Sequence, residues 1–350
     1  MTENLQRFDR PMQARAFWQQ LKGELALFEG CGNMLGIVPL ARAGYSPLND
    51  PRQDAMLRAR LADWGRSINS DSVMLLSGDP SRFEEQGYHF FMDVFEPRGS
   101  DESGMAGGFS TMCGNGVRAV AAYLRELHPD VASCVVMTRS GLRTVEFEDD
   151  HFIVDMGEFT VAAVDLARYV SISGREGLHH FDQPIPEAIR AQLAPYTSAA
   201  RWSIGFTGNR DGEGMIDGEP HVVIQIPEDE VATIQDLRQL AIAAGPRITK
   251  NREFFPQEIN VNFIVVRDRD DGTYEVWNCT HERNLGDVPE HSVTAACGTG
   301  STVVGGVVFE QFPYVGDEIP VVCTGGTMII KKQPGGVLHM KGPAVRVSAI

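Results

Sequence analysis

The chain has 350 residues, 43% hydrophobic and 22% charged, with a formal net charge of −16 at pH 7. These values describe an ordinary globular chain with room for one large or two moderate cores. The acidic balance argues against nucleic acid or an anionic membrane as partner, because both reward clustered Lys and Arg.

Residues 10–25 are expected to form a polar helix, an N-terminal extension or an oligomer contact such as a homodimer would use. The segment before it lacks the apolar stretch of a signal peptide and no later run is long enough to span a bilayer, so a cytoplasmic location is expected. A glycine-rich turn containing Asn33 then leads into a strand ending near Val38. Apolar spacing at Met56, Leu57, Leu61 and Trp64 predicts a helix over 54–64. Strands follow at 72–76 and 88–95. Residues 97–110 are rich in Gly, Ser and Asp and predict a loop without structure of its own, either a binding loop or a plain insertion.

Further strands are predicted at 134–138, 142–148 and 151–156, followed by an irregular region to about residue 201. Helices are expected over 186–193, with the proline at its first position, and over 232–244. Strands at 222–226 and 260–267 flank the latter. Residues 267–272 are Asp-rich but lack the later glutamate of a calcium loop, so a hairpin joining 261–266 to 273–277 is preferred. Asn284 to Ser292 reads as a loop, with His281 and His291 as loop residues and His291 near enough to Cys297 to line an entrance. The end, 321–350, reads as strand, turn and strand.

Six cysteines, at 31, 113, 134, 279, 297 and 323, include no Cys-x-x-Cys pair and predict free thiols. No Cys/His cluster has metal-ligand spacing, so no metal is expected. Four of the six read as buried strand or turn residues. The other two stand out: Cys113-Gly114-Asn115-Gly116 and Cys297-Gly298-Thr299-Gly300 repeat one frame 184 residues apart. Apolar residues at helical spacing follow each, Val117, Val120, Ala121 and Leu124 in one, Val303, Val304, Val307 and Val308 in the other. Each frame predicts a loop turning into a helix start, whose unpaired N–H groups bind carboxylates and lower a thiol pKa. Two such thiols suit proton exchange at one carbon: a thiolate removes a proton from one face while the opposite thiol supplies another. The rest state is then one thiolate and one thiol.

Both cysteine motifs in this order, with Gly218-Glu219-Pro220-His221, Glu282-Arg283, Gly325-Gly326-Thr327 and Met340-Lys341-Gly342-Pro343-Ala344, resemble the diaminopimelate epimerase family from about Phe28 to Ile350. The resemblance implies an α/β (α+β) fold of two similar domains, each a sheet wrapped around a central helix, with the site in the cleft between them. The division expected is 1–160, joined by a strand at about 338–350, and 161–337. It also implies an amino acid racemase or epimerase using no cofactor. Cys113 and Cys297 match its catalytic pair. Gly114, Asn115, Gly298 and Thr299 match positions whose N–H groups hold the substrate carboxylate. His221 and Glu282 match polar groups beside the cysteines, and Asn33, Asn260 and Arg283 match residues that hold the substrate.

The departures concern the distal end of the substrate. Glu96, in Phe-Glu-Pro-Arg-Gly-Ser, stands where the family usually has Phe-Asn-Ala-Asp-Gly-Ser, and Glu219 stands for the asparagine of Gly-Asn-Pro-His. Met34 replaces an aspartate, and residues 67–71 replace a glycine-rich counterpart. Two neutral amides have become carboxylates, which are costly to bury unpaired. That predicts a basic amino acid such as lysine, arginine, ornithine or histidine as substrate. Against it, Arg283 suits a distal carboxylate, and Glu96 or Glu219 can pair with Arg98 or Arg283. The alternatives are a diaminopimelate epimerase proper, a proline racemase-like or double-bond isomerase of the same fold group, and a non-catalytic ligand-binding protein.

Overall fold

The computed structural model describes residues 25–40, 51–100, 104–161, 170, 185–199, 201–210, 216–269, 272–283, 289–312 and 315–347. The first half comprises β1 (Ala26–Gly30), β2 (Asn33–Pro39), α1 (Ala55–Ser67), β3 (Ser72–Ser77), β4 (Phe90–Ser100), β5 (Ala106–Ser110), α2 (Gly114–Leu127), β6 (Ser133–Thr138), β7 (Gly141–Glu148) and β8 (His151–Thr160). The second comprises α3 (Glu187–Leu193), β9 (Arg201–Arg210), β10 (Ile216–Asp217), β11 (His221–Gln225), α4 (Ile234–Thr249), β12 (Asn260–Asp268), β13 (Tyr274–His281), α5 (Gly298–Gln311), β14 (Glu318–Cys323), β15 (Gly326–Lys332), β16 (Val337–Pro343) and β17 (Val345–Arg346).

Strand pairing runs β1-β2-β3-β4-β6-β7-β8-β16, and β16 continues into β17, which returns to β1. A second ring runs β8-β9-β11-β12-β13-β14-β15-β16. Strands β8 and β16 therefore belong to both rings. Each ring encloses one helix: α2 touches β1, β2, β3, β6, β7, β8, β16 and β17, and α5 touches β8, β9 and β11 to β16. Such helices are buried on every side, which is why Val117, Val120 and Leu124, and likewise Val303, Val304, Val307 and Val308, are almost inaccessible.

Strands between a central helix and an outer one read as continuous apolar runs, because both faces are covered. In β3, Met74 and Leu76 pack inward while Val73 and Leu75 pack outward with Leu57 and Leu61 of α1. In β12, Ile264 packs inward while Val261, Phe263 and Val265 meet Leu237, Ala241 and Ala244 of α4.

Several elements differ from expectation. Residues 97–110 carry the end of β4 and all of β5, which pair antiparallel. The hairpin is held by the buried Arg58, which donates to the carbonyls of Ala106 (3.0 Å) and Gly107 (2.7 Å), and by the edge-on contact of Phe95 with Phe109. Helix α4 starts on a Thr233–Asp236 capping box and runs to Thr249 past Pro246. Pro186 caps the helix that follows it instead of occupying its first turn. His281 is a buried residue at the end of β13 whose Nδ1 meets Thr249 Oγ1 at 2.9 Å. The helix expected over 10–25 lies outside the described residues apart from Leu25, as do residues 284–288 of the expected loop, while Pro289–Ser292 forms a short helical turn that carries His291. Among the described residues, no helix is long and apolar enough to cross a membrane.

Candidate active site

Cys113 and Cys297 are the N-cap residues of α2 and α5. Both have extended backbone, and each sulfur accepts a hydrogen bond from the N–H three residues on, Gly116 and Gly300, at 3.3 Å. The sulfur thus fills the place of a Ser or Asp cap oxygen, and the other N–H groups of the first turn point forward. The two helix starts abut: a Cβ added at Gly114 would lie 3.5 Å from the Gly298 Cα. A Cβ added at Gly298 would crowd Asn115, at 3.0 Å from its Oδ1 and 3.1 Å from its backbone N, so glycine there lets the two arrays of N–H groups converge on one place.

The same pocket is lined by Asn33, Asp71, Glu96, Cys113, Gly114, Asn115, Glu219, Asn260, Glu282, Cys297, Gly298 and Thr299, together with Leu35, Ser72, Ser110, Met112, Thr294 and Ala296. The Asn33 amide donates to the Ala296 carbonyl, and the Asn115 amide donates to the same oxygen at 2.9 Å. Thr294 Oγ1 donates to Asn33 Oδ1 at 3.0 Å. Asn115 is itself held by Arg118, a fully buried arginine that donates to its Oδ1 (2.6 Å) and to the Pro343 carbonyl (2.9 Å).

Behind Cys297 runs a polar chain. Thr299 Oγ1 lies 3.3 Å from Cys297 Sγ and 3.2 Å from His221 Nε2. Asn262 Nδ2, 3.0 Å from His221 Nδ1, donates there and fixes the tautomer with the proton on Nε2. Thr280 Oγ1 donates to Asn262 Oδ1 at 2.7 Å. Burial pushes the His221 pKa down to about 3, with the Arg283 charge acting the same way, so the ring is neutral.

All four charged groups lining the described pocket are carboxylates: Asp71, Glu96, Glu219 and Glu282. Glu219 also binds Arg283 at 2.5 Å and accepts from Thr111 Oγ1 at 3.1 Å. Glu96 accepts from Ser110 Oγ. Desolvation raises Glu282 to about 8, against its hydrogen bond with Cys297, and Glu96, Asp71 and Glu219 add repulsion. Desolvation raises Glu96 to about 7 against the Ser110 bond. Asp71 is also raised by burial, against the Met34 N–H it accepts at 2.9 Å.

The thiols depart from expectation. Burial pushes Cys113 up to about 12 against its bond from Gly116, and Glu282 and Glu96 push the same way. Burial and Glu282 raise Cys297 well above the ordinary thiol value as well, against its bonds with Thr299 and Gly300. Desolvation and neighbouring carboxylates thus outweigh the helix ends and favour the protonated form of both thiols.

His221 and Arg283 stand one group back from the pocket, behind Thr299 and Glu219 respectively. His291 does not line it, although its charge acts on Asp71. Sequence reasoning passed over Asp71, Ser72, Ser110 and Thr294 as site residues. The last two had a signal, a hydroxyl residue three positions before each cysteine. Asp71 had only its place ahead of a strand.

The relatives of the chain define its class as epimerase- and racemase-type isomerases. The diaminopimelate epimerase of Bacillus licheniformis is 30% identical to this chain over 238 residues, spanning 67% of this chain and 71% of that protein. This chain belongs to the diaminopimelate epimerase family, whose sequence profile matches residues 215–347. The fold is shared with a predicted epimerase from Pseudomonas aeruginosa (TM-score 0.56, 14% identity, 93% of this chain and 96% of that one). It is shared too with a probable proline racemase from Agrobacterium radiobacter (TM-score 0.52, 13% identity, 93% and 92%).

Proposed function

We propose that the protein inverts the α-carbon of an amino acid with a cationic side chain, using Cys113 and Cys297 as the acid and base on opposite faces. The observation that carries the reading is that two cysteine-capped helix starts meet in one pocket whose charged lining, among the described residues, is carboxylate alone. The N–H groups at Gly114, Asn115, Gly298 and Thr299 hold the substrate carboxylate and stabilise the charge that develops on it as the α-proton leaves.

A substrate ammonium entering the pocket favours every anionic form around it. Glu282, hydrogen-bonded to Cys297, takes that thiol's proton. The Cys297 thiolate then removes the α-proton, and Cys113 delivers its own to the opposite face. The charge moves from one sulfur to the other, and the reverse turnover uses them in the opposite order. Thr299 and neutral His221 orient Cys297 and carry no charge themselves.

The test is α-deuterium incorporation in heavy water from both enantiomers of lysine, arginine, ornithine and histidine, beside diaminopimelate. Exchange with inversion is expected for cationic side chains, and activity on diaminopimelate alone would remove that part of the reading. The curated relatives and the retained Arg283 favour diaminopimelate, but the pairing of Arg283 with Glu219 leaves no free cation lining the described pocket for a distal carboxylate.

A further inference from the structure

The strand registers relate the two walls of the pocket residue by residue. Leu35 faces Ser72 as His221 faces Asn260, and Val73 faces Phe95 as Val261 faces His281. Continuing each strand makes Glu96 the counterpart of Glu282 and Asn33 the counterpart of Glu219. Ser110 and Thr294 correspond as the residues three before each cysteine. The contacts keep the relation: Asn33 crosses to Thr294 and Ala296 of the opposite cysteine loop, and Glu219 crosses to Thr111 of the other.

An axis of this kind, drawn through a carboxylate held between the two helix starts, exchanges the two faces of a planar α-carbanion. It also exchanges the carbanion's two other substituents, the amino group and the start of the side chain. A glutamate stands on each side. Glu282 and Glu96 line the same pocket as the two cysteines, and Glu96 accepts from Ser110, three residues before Cys113.

Two further observations bear on what Glu96 meets. Among the described residues it forms no ion pair; its hydrogen-bond partner is the Ser110 hydroxyl, whereas Glu219 is matched by Arg283. The cavity is about 70 Å³, against about 30 Å³ for each molecule of liquid water, so its enclosed part is small.

We infer that Glu96 is a specificity-determining residue for a second cation close to the α-carbon, so that the site takes α,β- and α,γ-diamino acids, with Glu282 and Glu96 each facing one ammonium. A longer cationic chain carries its charge past Glu96, and a neutral chain leaves that carboxylate with no cation opposite it. The inference rests on the two-thiol reading of the same pocket.

The experiment measures kcat/KM for α-deuterium incorporation by NMR with 2,3-diaminopropionate, 2,4-diaminobutyrate, lysine and the neutral isostere 2-aminobutyrate. The two short diamino acids are expected to exceed lysine and 2-aminobutyrate by at least about tenfold. Glu96→Gln, checked for a native thermal transition, should reduce the preference for 2,3-diaminopropionate over 2-aminobutyrate at least about tenfold, and Glu96→Asp should retain part of it. Lysine or 2-aminobutyrate leading the panel, or Glu96→Gln lowering both substrates in proportion, overturns the inference while leaving the two-thiol reading intact. Exchange that persists in the Cys113→Ser/Cys297→Ser double variant overturns the two-thiol reading itself.

Discussion

The two halves of the molecule share a frame and differ in what fills it behind the cysteine. In the second half, His221, Asn262 and Thr280 form a hydrogen-bonded chain ending at Thr299 and Cys297. Their counterparts by strand register in the first half are Leu35, Met74 and Val94, all buried and apolar. The glycines at the third helical position follow suit, Gly116 leaving room for Met74 and Gly300 for Asn262. One thiol is therefore backed by a proton-bearing network and the other by hydrocarbon. In the proposed inversion the two thiols act on opposite faces, which does not require identical surroundings.

Removing the thiols breaks the comparison at its root. Cys113→Ser and Cys297→Ser should each lower racemisation by about a thousandfold or more, measured by polarimetry or chiral chromatography. Deuterium exchange without inversion is expected to survive in single variants from one enantiomer only, and opposite enantiomers in the two variants would assign each sulfur to its face. Next in size is Glu282→Gln, expected to lower kcat by about a hundredfold because no carboxylate then takes the Cys297 proton. Unchanged turnover would place the acceptor elsewhere.

The network itself is tested by substituting equivalent positions. Asn262→Leu strips the partner from His221 Nδ1 and from Thr280, and should cost about 1–3 kcal/mol in urea denaturation, with kcat reduced about tenfold. Met74→Leu, at the matching place in the other half, is a volume-conserving change and should cost less than about 1.5 kcal/mol. Equal effects at the two positions would erase the distinction between the halves.

How much of this was legible in the sequence depended on where the causes lie. The cysteine frames carried their own helix-start signals, and apolar runs marked strands covered on both faces. The β4-β5 hairpin was not legible, because Gly107 and Gly108 give no alternation and the element is pinned by Arg58 from α1, about fifty positions earlier. The thiol pKa values were misjudged for a related reason: a helix start is visible locally, whereas desolvation comes from the opposite half closing over it. The pairing of Arg283 with Glu219 was one of the open alternatives, and only the fold brings residues 64 positions apart together.

The smallest effect is read through pH. Glu96 and Glu282 are raised from 4.5 to about 7 and about 8, chiefly by desolvation, so the native protein binds more protons than the unfolded chain over that interval. Their stabilising contribution is complete below about pH 4.5 and is lost as pH rises through 7 to 8. His221 and His281 are depressed from 6.5 to about 3 and about 4, again chiefly by burial. Their contribution is present above pH 6.5 and is lost as pH falls toward those values. The alkaline limb of the stability curve therefore draws on both halves, and so does the acid limb, since burial lowers His89 of the first half as well as His221 and His281 of the second. Glu96→Gln should flatten the alkaline limb and raise stability at pH 8.5 by about 1–3 kcal/mol. His281→Phe, measured as the change from pH 7 to pH 5, should flatten only the acid limb. An alkaline limb untouched by Glu96→Gln would mean that this carboxylate keeps an ordinary pKa, and the electrostatic symmetry with Glu282 would then be false.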